Sequence, residues 1–464
     1  MRKRLQLKPK TKVTISTRLR LVIIVSSFAI VVAVGFILYY QFGDVEDSLA
    51  NQENVLPDFN YRKQLTYSKD IIKGNEVLLN FPILINVTDA DLRAANRGGK
   101  IIHPKGFDIR FTKADGKSIL PAQIESYNPN TGEINAWVLL DTLSPKLNNK
   151  LFIYYSNAVI KNELANVLWS DDVKGVWHCN GDLNAKNNRK LKATTIGTAE
   201  TKGKIGPGRL FSSVAKNCAS FDYSEDLDIK GDFTLSAWIY LNEKGREQVI
   251  VSNQGDRPGG YRLFINKNNQ LAVDFLNTAG NRISTSGADG AEKLELNRWY
   301  FVAGVYNSSL NQLQTYVDGI FDKSISLTHA PANTSSSLQI GRNQFEEDSY
   351  FNGILDEIKV TAAIRSQSWL ATEFYNQFAP KSLFSLGAAE DLNMSADARL
   401  RNKQAMGEND SQELKNQVNA NNLQAKKLNG ASGNPNAVSS SAEVIQARLN
   451  NIKRVAKDND KARN

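Results

Sequence analysis

The chain has 464 residues, 41% of them hydrophobic and 23% charged, with a formal net charge of +9. This length exceeds one typical domain, and the apolar fraction is enough for real cores. The charge is concentrated at the ends, +8 in residues 1–20 and +4 in residues 391–464. The rest is left at −3, which excludes a nucleic-acid-binding reading of the folded part.

Residues 1–20 carry eight Lys or Arg and no acid. Leu21–Tyr40 then reads LVIIVSSFAIVVAVGFILYY without a charge, and as a helix it would rise about 30 Å, the thickness of a bilayer core. Tyr39 and Tyr40 suit the interface, and Asp44, Glu46 and Asp47 follow, so the positive-inside rule puts residues 1–20 in the cytoplasm. The run is longer than the ~7–15-residue core of a signal peptide and no small-x-small site follows, so a retained anchor is expected rather than a cleaved leader. The localisation implied is the cell membrane. The anchor is single-pass, and after a linker at 41–56 the bulk of the chain lies in the periplasm or on the cell surface.

From 57 to 160 the sequence is a series of short alternating or β-branched runs: Tyr61–Tyr67, Val77–Val87, Phe107–Thr112, Leu120–Tyr127, Ile134–Leu140 and Leu151–Tyr155. Gly-, Asn- and Pro-rich turns separate them, a spacing that predicts a small antiparallel β-sandwich. A helical turn is expected over Asp89–Ala95, with Thr88 as its cap. Trp137, Tyr154 and Tyr155 sit at alternating sheet positions, which favours packing over a ligand platform.

Residues 165–388 continue the pattern with hardly a helical period before Ser366, as expected of one large sandwich. In Phe233–Leu241, odd positions (Phe233, Leu235, Ala237, Ile239) would face a core and even ones, including Trp238, a second face. Tyr316-Val317-Asp318-Gly319-Ile320-Phe321 predicts a tight hairpin. Cys179 and Cys218, the two cysteines, would be free to pair outside the cytoplasm, or they are buried thiols. His103, His178 and His329 show no metal-ligand spacing. Beyond 391 no aromatic residue occurs, and a disordered or low-complexity tail is expected, with short helical pieces at 411–428 and 441–457.

The segments YRKQLTY, FPILINVTDADL, FDIRFTKADG, LPAQIESYNPNTGEINAWVLLDTLSP and LFIYYSN resemble a bacterial extracellular domain family of unknown function. WSDDVKGVWHCN, KIGPGRLF, CASFDYSEDLDIKGDFTLSAWIYL, NRWYFVAGVYN, LQTYVDGIFD, LQIGRN, FNGILDEIKV and SWLATEFYNQFAPKSLFSLG resemble, in order, a laminin-G-like domain of the concanavalin A-like jelly-roll type. The two resemblances imply an all-β ectodomain that binds a glycan or an envelope protein.

The second resemblance also implies a calcium ion, with Asp356 in the matching phrase. Calcium needs about six to eight oxygens, and the alternative is that Asp356 caps backbone N–H groups. Glu357, its strand neighbour, should point the other way. Ligand contacts are expected on rim loops, at Arg257, Tyr261, Arg342, Asn343 and Tyr350, which combine aromatic faces with planar donors. No catalytic residue is assigned. Glycosidases of this fold place Glu-x-Asp-x-x-Glu or a close variant on one strand, and Ser224–Asp228 has its acids at other offsets. A non-catalytic binding protein is therefore the first reading, an envelope scaffold the second and a glycoside hydrolase the third.

Overall fold

The computed structural model describes residues 56–394, apart from 57, 147–149, 164–167, 188–190 and 289–292. The span expected at 21–40 and the tail helices expected at 411–428 and 441–457 lie outside these residues. Among the described residues no helix is long and apolar enough to cross a membrane.

The first strands are β1 (Tyr61–Tyr67), β2 (Leu78–Thr88), β3 (Arg110–Thr112), β4 (Ala122–Asn128), β5 (Glu133–Leu143) and β6 (Lys150–Tyr155). They make two sheets, β1-β6-β3 and β2-β5-β4. In β1 alternate residues are buried, and Leu65 and Tyr67 join Ile83, Phe111 and Val138 in one core. The expected turn after β2 is a 3-10 turn over Ala90–Leu92. Its cap is Asp89, which accepts from Asp91 N. Thr88 is not available for that role, because it still pairs with Glu133 in the β2–β5 ladder.

The chain continues with β7 (Val173–Trp177), β8 (Ala193–Ile196), β9 (Ala199–Lys202), β10 (Pro207–Phe211) and β11 (Cys218–Phe221). Next come β12 (Phe233–Leu241), β13 (Gln248–Ser252), β14 (Tyr261–Ile265), β15 (Leu271–Leu276) and β16 (Arg282–Ser284). The last strands of this part are β17 (Trp299–Asn307), β18 (Gln312–Val317), β19 (Ile320–Ser326), β20 (Gln339–Ile340) and β21 (Gly353–Thr361). One sheet runs β19-β18-β17-β12-β21-β10-β9, with β7 also on β21, and the facing sheet runs β16-β15-β14-β13-β20-β11-β8. Between them lies a core that includes Trp177, Phe233, Leu235, Tyr261, Val302 and Leu355. The β18–β19 hairpin is as expected: Asp318 and Gly319 both have positive φ, and Val317 pairs with Ile320.

The even face of β12 is buried as well. Helix α1 (Gln367–Phe378) starts where Ser366 accepts from Trp369 N and then covers Trp238. Trp238 Nε1 donates to Gln377 Oε1 at 2.5 Å, and its ring stacks on Phe374 at 5.7 Å. After the helix, β22 (Phe384–Asp391) returns to pair with β1, from Tyr61↔Asp391 to Tyr67↔Phe384. The first core therefore extends into the second sandwich, where Trp238, Phe301, Ala303, Val305 and Trp369 pack with Leu65 and Ile83. The described residues, from Leu56 onward, form one compact unit.

A shared core makes the two sandwiches unfold together. Phe301→Ala should cost about 3–5 kcal/mol and lower a single calorimetric transition. Two transitions, only one of them shifted, would show that the cores are independent.

Candidate functional site

The site is built around an interruption in β21. One edge of this strand pairs with β12 on both sides of a register slip. The other pairs with β10 at Gly353–Leu355 and with β7 at Ile358–Thr361. Asp356 and Glu357 fall between those two partners. Opposite them the register slips: Asp356 faces Trp238 and Lys359 faces Ser236, so one extra residue is accommodated at Glu357. Glu357 takes φ +48°, a conformation that costs a non-glycine residue roughly 1–2 kcal/mol.

Asp356 holds this bulge closed. Its Oδ1 accepts from Glu357 N at 2.9 Å, and its Oδ2 accepts from Lys204 N at 2.8 Å and Ile205 N at 2.9 Å. The carboxylate is fully buried and both oxygens are engaged by backbone donors, which is the capping geometry. Strict alternation would send Glu357 to the opposite face from Asp356. The bulge breaks that alternation, and the Glu357 carboxylate meets His178, Nδ1 to Oε1 at 2.6 Å.

The third member comes from the other sandwich. Glu125 on β4 places Oε2 3.8 Å from His178 Nδ1, and one ligand-type atom from each of the three residues lies within 4.8 Å of the others. The side chains of Glu125, His178 and Glu357 are 0%, 1% and 0% exposed. Trp137 supports the group twice, donating Nε1 to Glu125 Oε2 at 2.7 Å and stacking on the imidazole at 5.8 Å with planes 19° apart. Lys359 sits over the Trp137 ring at 4.5 Å, but its ammonium goes to Glu373, 2.8 Å away, and stays 3.9 Å from Glu357 Oε2. Burial, and then the neighbouring carboxylates, push the Glu125 and Asp356 carboxyls well above the usual range. Cys179 is a buried free thiol raised mainly by the same burial. Cys218 is also free, so the structure contains the two as separate thiols.

Glu125 and His178 also line a cleft of about 740 Å³ between β4 and the segment after β7. Phe107 stands at its edge, stacked on His103 at 4.6 Å, and Tyr127 and Trp169 add aromatic surface. Gln123, Asn180, Asp182, Asn184 and Asn187 supply amides and a carboxylate.

The five rim residues expected from the sequence do not converge. Tyr261 is 0% exposed inside the core, because β14 alternation turns it inward with Leu263 and Ile265. Its hydroxyl donates to Leu227 O at 3.1 Å. Asn343 is buried and fastens its loop, its backbone N–H donating to Ser349 Oγ at 2.9 Å. Arg257 lies on an exposed turn. Arg342 and Tyr350 do meet, Nη1 donating to the phenol oxygen at 3.3 Å, beside Gln339 and Ser220. Glu125, His178 and Glu357 escaped the sequence reading because they are far apart and share no spacing. The available clue was Asp356-Glu357 and Lys359, three charges inside the apolar strand FNGILDEIKV.

Residues 216–371 match the family model of the concanavalin A-like lectin/glucanases superfamily (Laminin_G_3). Residues 105–173, ahead of them, match that of a domain of unknown function (DUF2341). The comparison with curated proteins returned no match. Among solved structures, the binding domain of Paraclostridial Mosquitocidal Protein 1 is similar at 16% identity and TM-score 0.37, over 44% of this chain and 52% of that one. Domain 4 of AbnA, a GH43 extracellular arabinanase from Geobacillus stearothermophilus in complex with arabinotriose, is similar at 14% identity and TM-score 0.37, over 44% of this chain and 98% of that one. The binding domain of botulinum neurotoxin DC, in complex with rat synaptotagmin II, is similar at 13% identity and TM-score 0.37, over 45% and 52%. The chain thus spans about half the length of the toxin domains it matches.

Asp356→Ala would leave three buried N–H groups without an acceptor, at about 1–3 kcal/mol each. A stability loss of at least ~3 kcal/mol is expected in thermal unfolding, with Asp356→Asn milder because it keeps one carbonyl acceptor.

Proposed function

We propose that this chain is a membrane-anchored, extracytoplasmic, non-catalytic binding protein, and that its cleft between β4 and the segment after β7 takes a carbohydrate. The observation that carries this reading is the cleft's chemistry. Phe107, Tyr127 and Trp169 offer apolar surface to the C–H faces of sugar rings, and Gln123 and Asn180 offer amide groups to hydroxyls, while the amides of Asn184 and Asn187 are bonded to Ala193 N, Asp182, Val176 N and Val173 O and shape the wall. A volume of about 740 Å³ accommodates a short oligosaccharide rather than a single small ion.

In this reading residues 21–40 form the anchor, with residues 1–20 on the cytoplasmic side, on the strength of their charge asymmetry. The concanavalin-like sandwich contributes one wall of the cleft and the preceding domain the other. That makes the first domain part of the receptor and not only a spacer. The Arg342–Tyr350 pair on the far sheet is the place for a second reading, in which an envelope protein docks and the chain acts as a scaffold.

Glycan-array screening of the full chain in detergent should return hits. Phe107→Ala and Asn180→Ala should each weaken the best one at least ~10-fold, about 1.4 kcal/mol, and Arg257→Ala should leave it unchanged. An array without hits, together with loss of an in-cell crosslink in Tyr350→Ala, would favour the scaffold. Separately, deleting residues 1–40 should move the protein from the membrane fraction to the soluble fraction; retention in the membrane would refute the anchor.

A further inference from the structure

We propose that Glu125, His178 and Glu357 form a binding site for one divalent transition-metal ion, zinc being the best match, which ties the two sandwiches together at the floor of the cleft. This site is independent of what the cleft binds.

The donor set comes first. Two carboxylates and an imidazole suit zinc and its first-row neighbours, whereas calcium and magnesium take oxygen donors only. The geometry is close to what zinc requires. Ligand atoms about 2.0–2.1 Å from a tetrahedral ion lie roughly 3.3 Å from one another. His178 Nδ1 is 2.6 Å from Glu357 Oε1 and 3.8 Å from Glu125 Oε2, so one gap must open and the other close, each by less than an ångström. A fourth coordination position would face the cleft, which both Glu125 and His178 line.

Unmet hydrogen bonding is the second, separate observation. Glu125 Oε1, Glu357 Oε2 and His178 Nε2 are all buried without a hydrogen-bond partner. Native structures seldom leave three buried side-chain atoms of one cluster unpaired. Asp356 is engaged by backbone N–H groups, and the Lys359 ammonium, 2.8 Å from Glu373, is 3.9 Å from Glu357 Oε2, so besides His178 the two carboxylates have one lysine at the limit of ion-pair distance. A divalent ion held on His178 Nδ1 would bring positive charge to the two carboxylates and a partner to their free oxygens, while Nε2, across the ring, would keep its own environment.

The surroundings are those of a supported site. Trp137 fixes Glu125 through its indole N–H and His178 through stacking, as outer-shell partners of metal ligands do. Glu357 is held in a left-handed conformation that a glycine would adopt freely, and strain of this kind persists where a side chain is needed. The ligands come from β4, the end of β7 and β21, so an ion there would bridge both sandwiches.

The test uses the untagged full chain, stripped with a chelator and titrated calorimetrically with zinc chloride, then with cobalt chloride followed by visible absorption. One zinc per chain, a raised thermal midpoint and a cobalt spectrum with an imidazole ligand are expected. His178→Gln should weaken zinc binding by more than ~100-fold. Glu357→Gly relieves the backbone strain and removes a buried carboxylate, so it should fold at least as stably as the stripped parent and yet gain nothing from zinc. The proposal is overturned if the stripped parent shows neither heat nor a midpoint shift with zinc. It is equally overturned if Glu357→Gly and His178→Gln keep the parent affinity, or if calcium chloride binds in place of zinc.

Discussion

The constraint on which the structure depends is that the eight-stranded sheet is apolar on both faces. Its inner face closes against the seven-stranded sheet in the usual way of a sandwich. Its outer face presents Trp238, Phe301, Ala303, Val305 and Tyr316, more apolar surface than a stable domain leaves in water. Helix α1 and the β2-β5-β4 sheet cover it. After the helix has crossed this outer face, β22 returns to pair with β1. The two sandwiches are joined by a core and not merely by a linker.

Where that cover is polar, the structure becomes unusual. Strand β21 changes neighbours midway, and the place where it changes is the place where a bulge, a capping aspartate and a left-handed glutamate occur together. Each feature supports the others. The gap between β7 and β10 leaves room for the Lys204–Ile205 backbone to reach Asp356. That bond pins the bulge, and the bulge turns Glu357 toward His178 and Glu125. Buried polar groups of this density usually persist for a reason other than stability, since apolar replacements would pack as well.

The cleft lies beside this cluster, between the β4 edge of the first sandwich and the segment after β7, and shares Glu125 and His178 with it. A lone concanavalin-like sandwich would offer only its own rim and sheet faces. Here half of the wall, including Phe107, Gln123 and Tyr127, belongs to the preceding domain. The cleft therefore exists only where the two domains are paired, as they are through the shared core.

Much was legible in the sequence because it is local. Period-two alternation placed β1 at Tyr61–Tyr67, the Asp318-Gly319 pair marked a hairpin, and the lack of helical period before Ser366 agrees with a helix that begins only at Gln367. The phrases in chain order pointed to the concanavalin-like domain and the one before it. Tyr261 was misread as a loop residue because the turn before it blurs where alternation begins. Glu357 was misread because alternation assumes an unbroken ladder. The cluster of Glu125, His178 and Glu357 was not legible at all. Patterns of period two, turn chemistry and charge asymmetry are interactions between neighbours in the chain, and the sequence by itself determined those. Which distant acids share a face depends on where strands cross and where a register slips by one residue. Only the packing of the outer face against the first sandwich decided that.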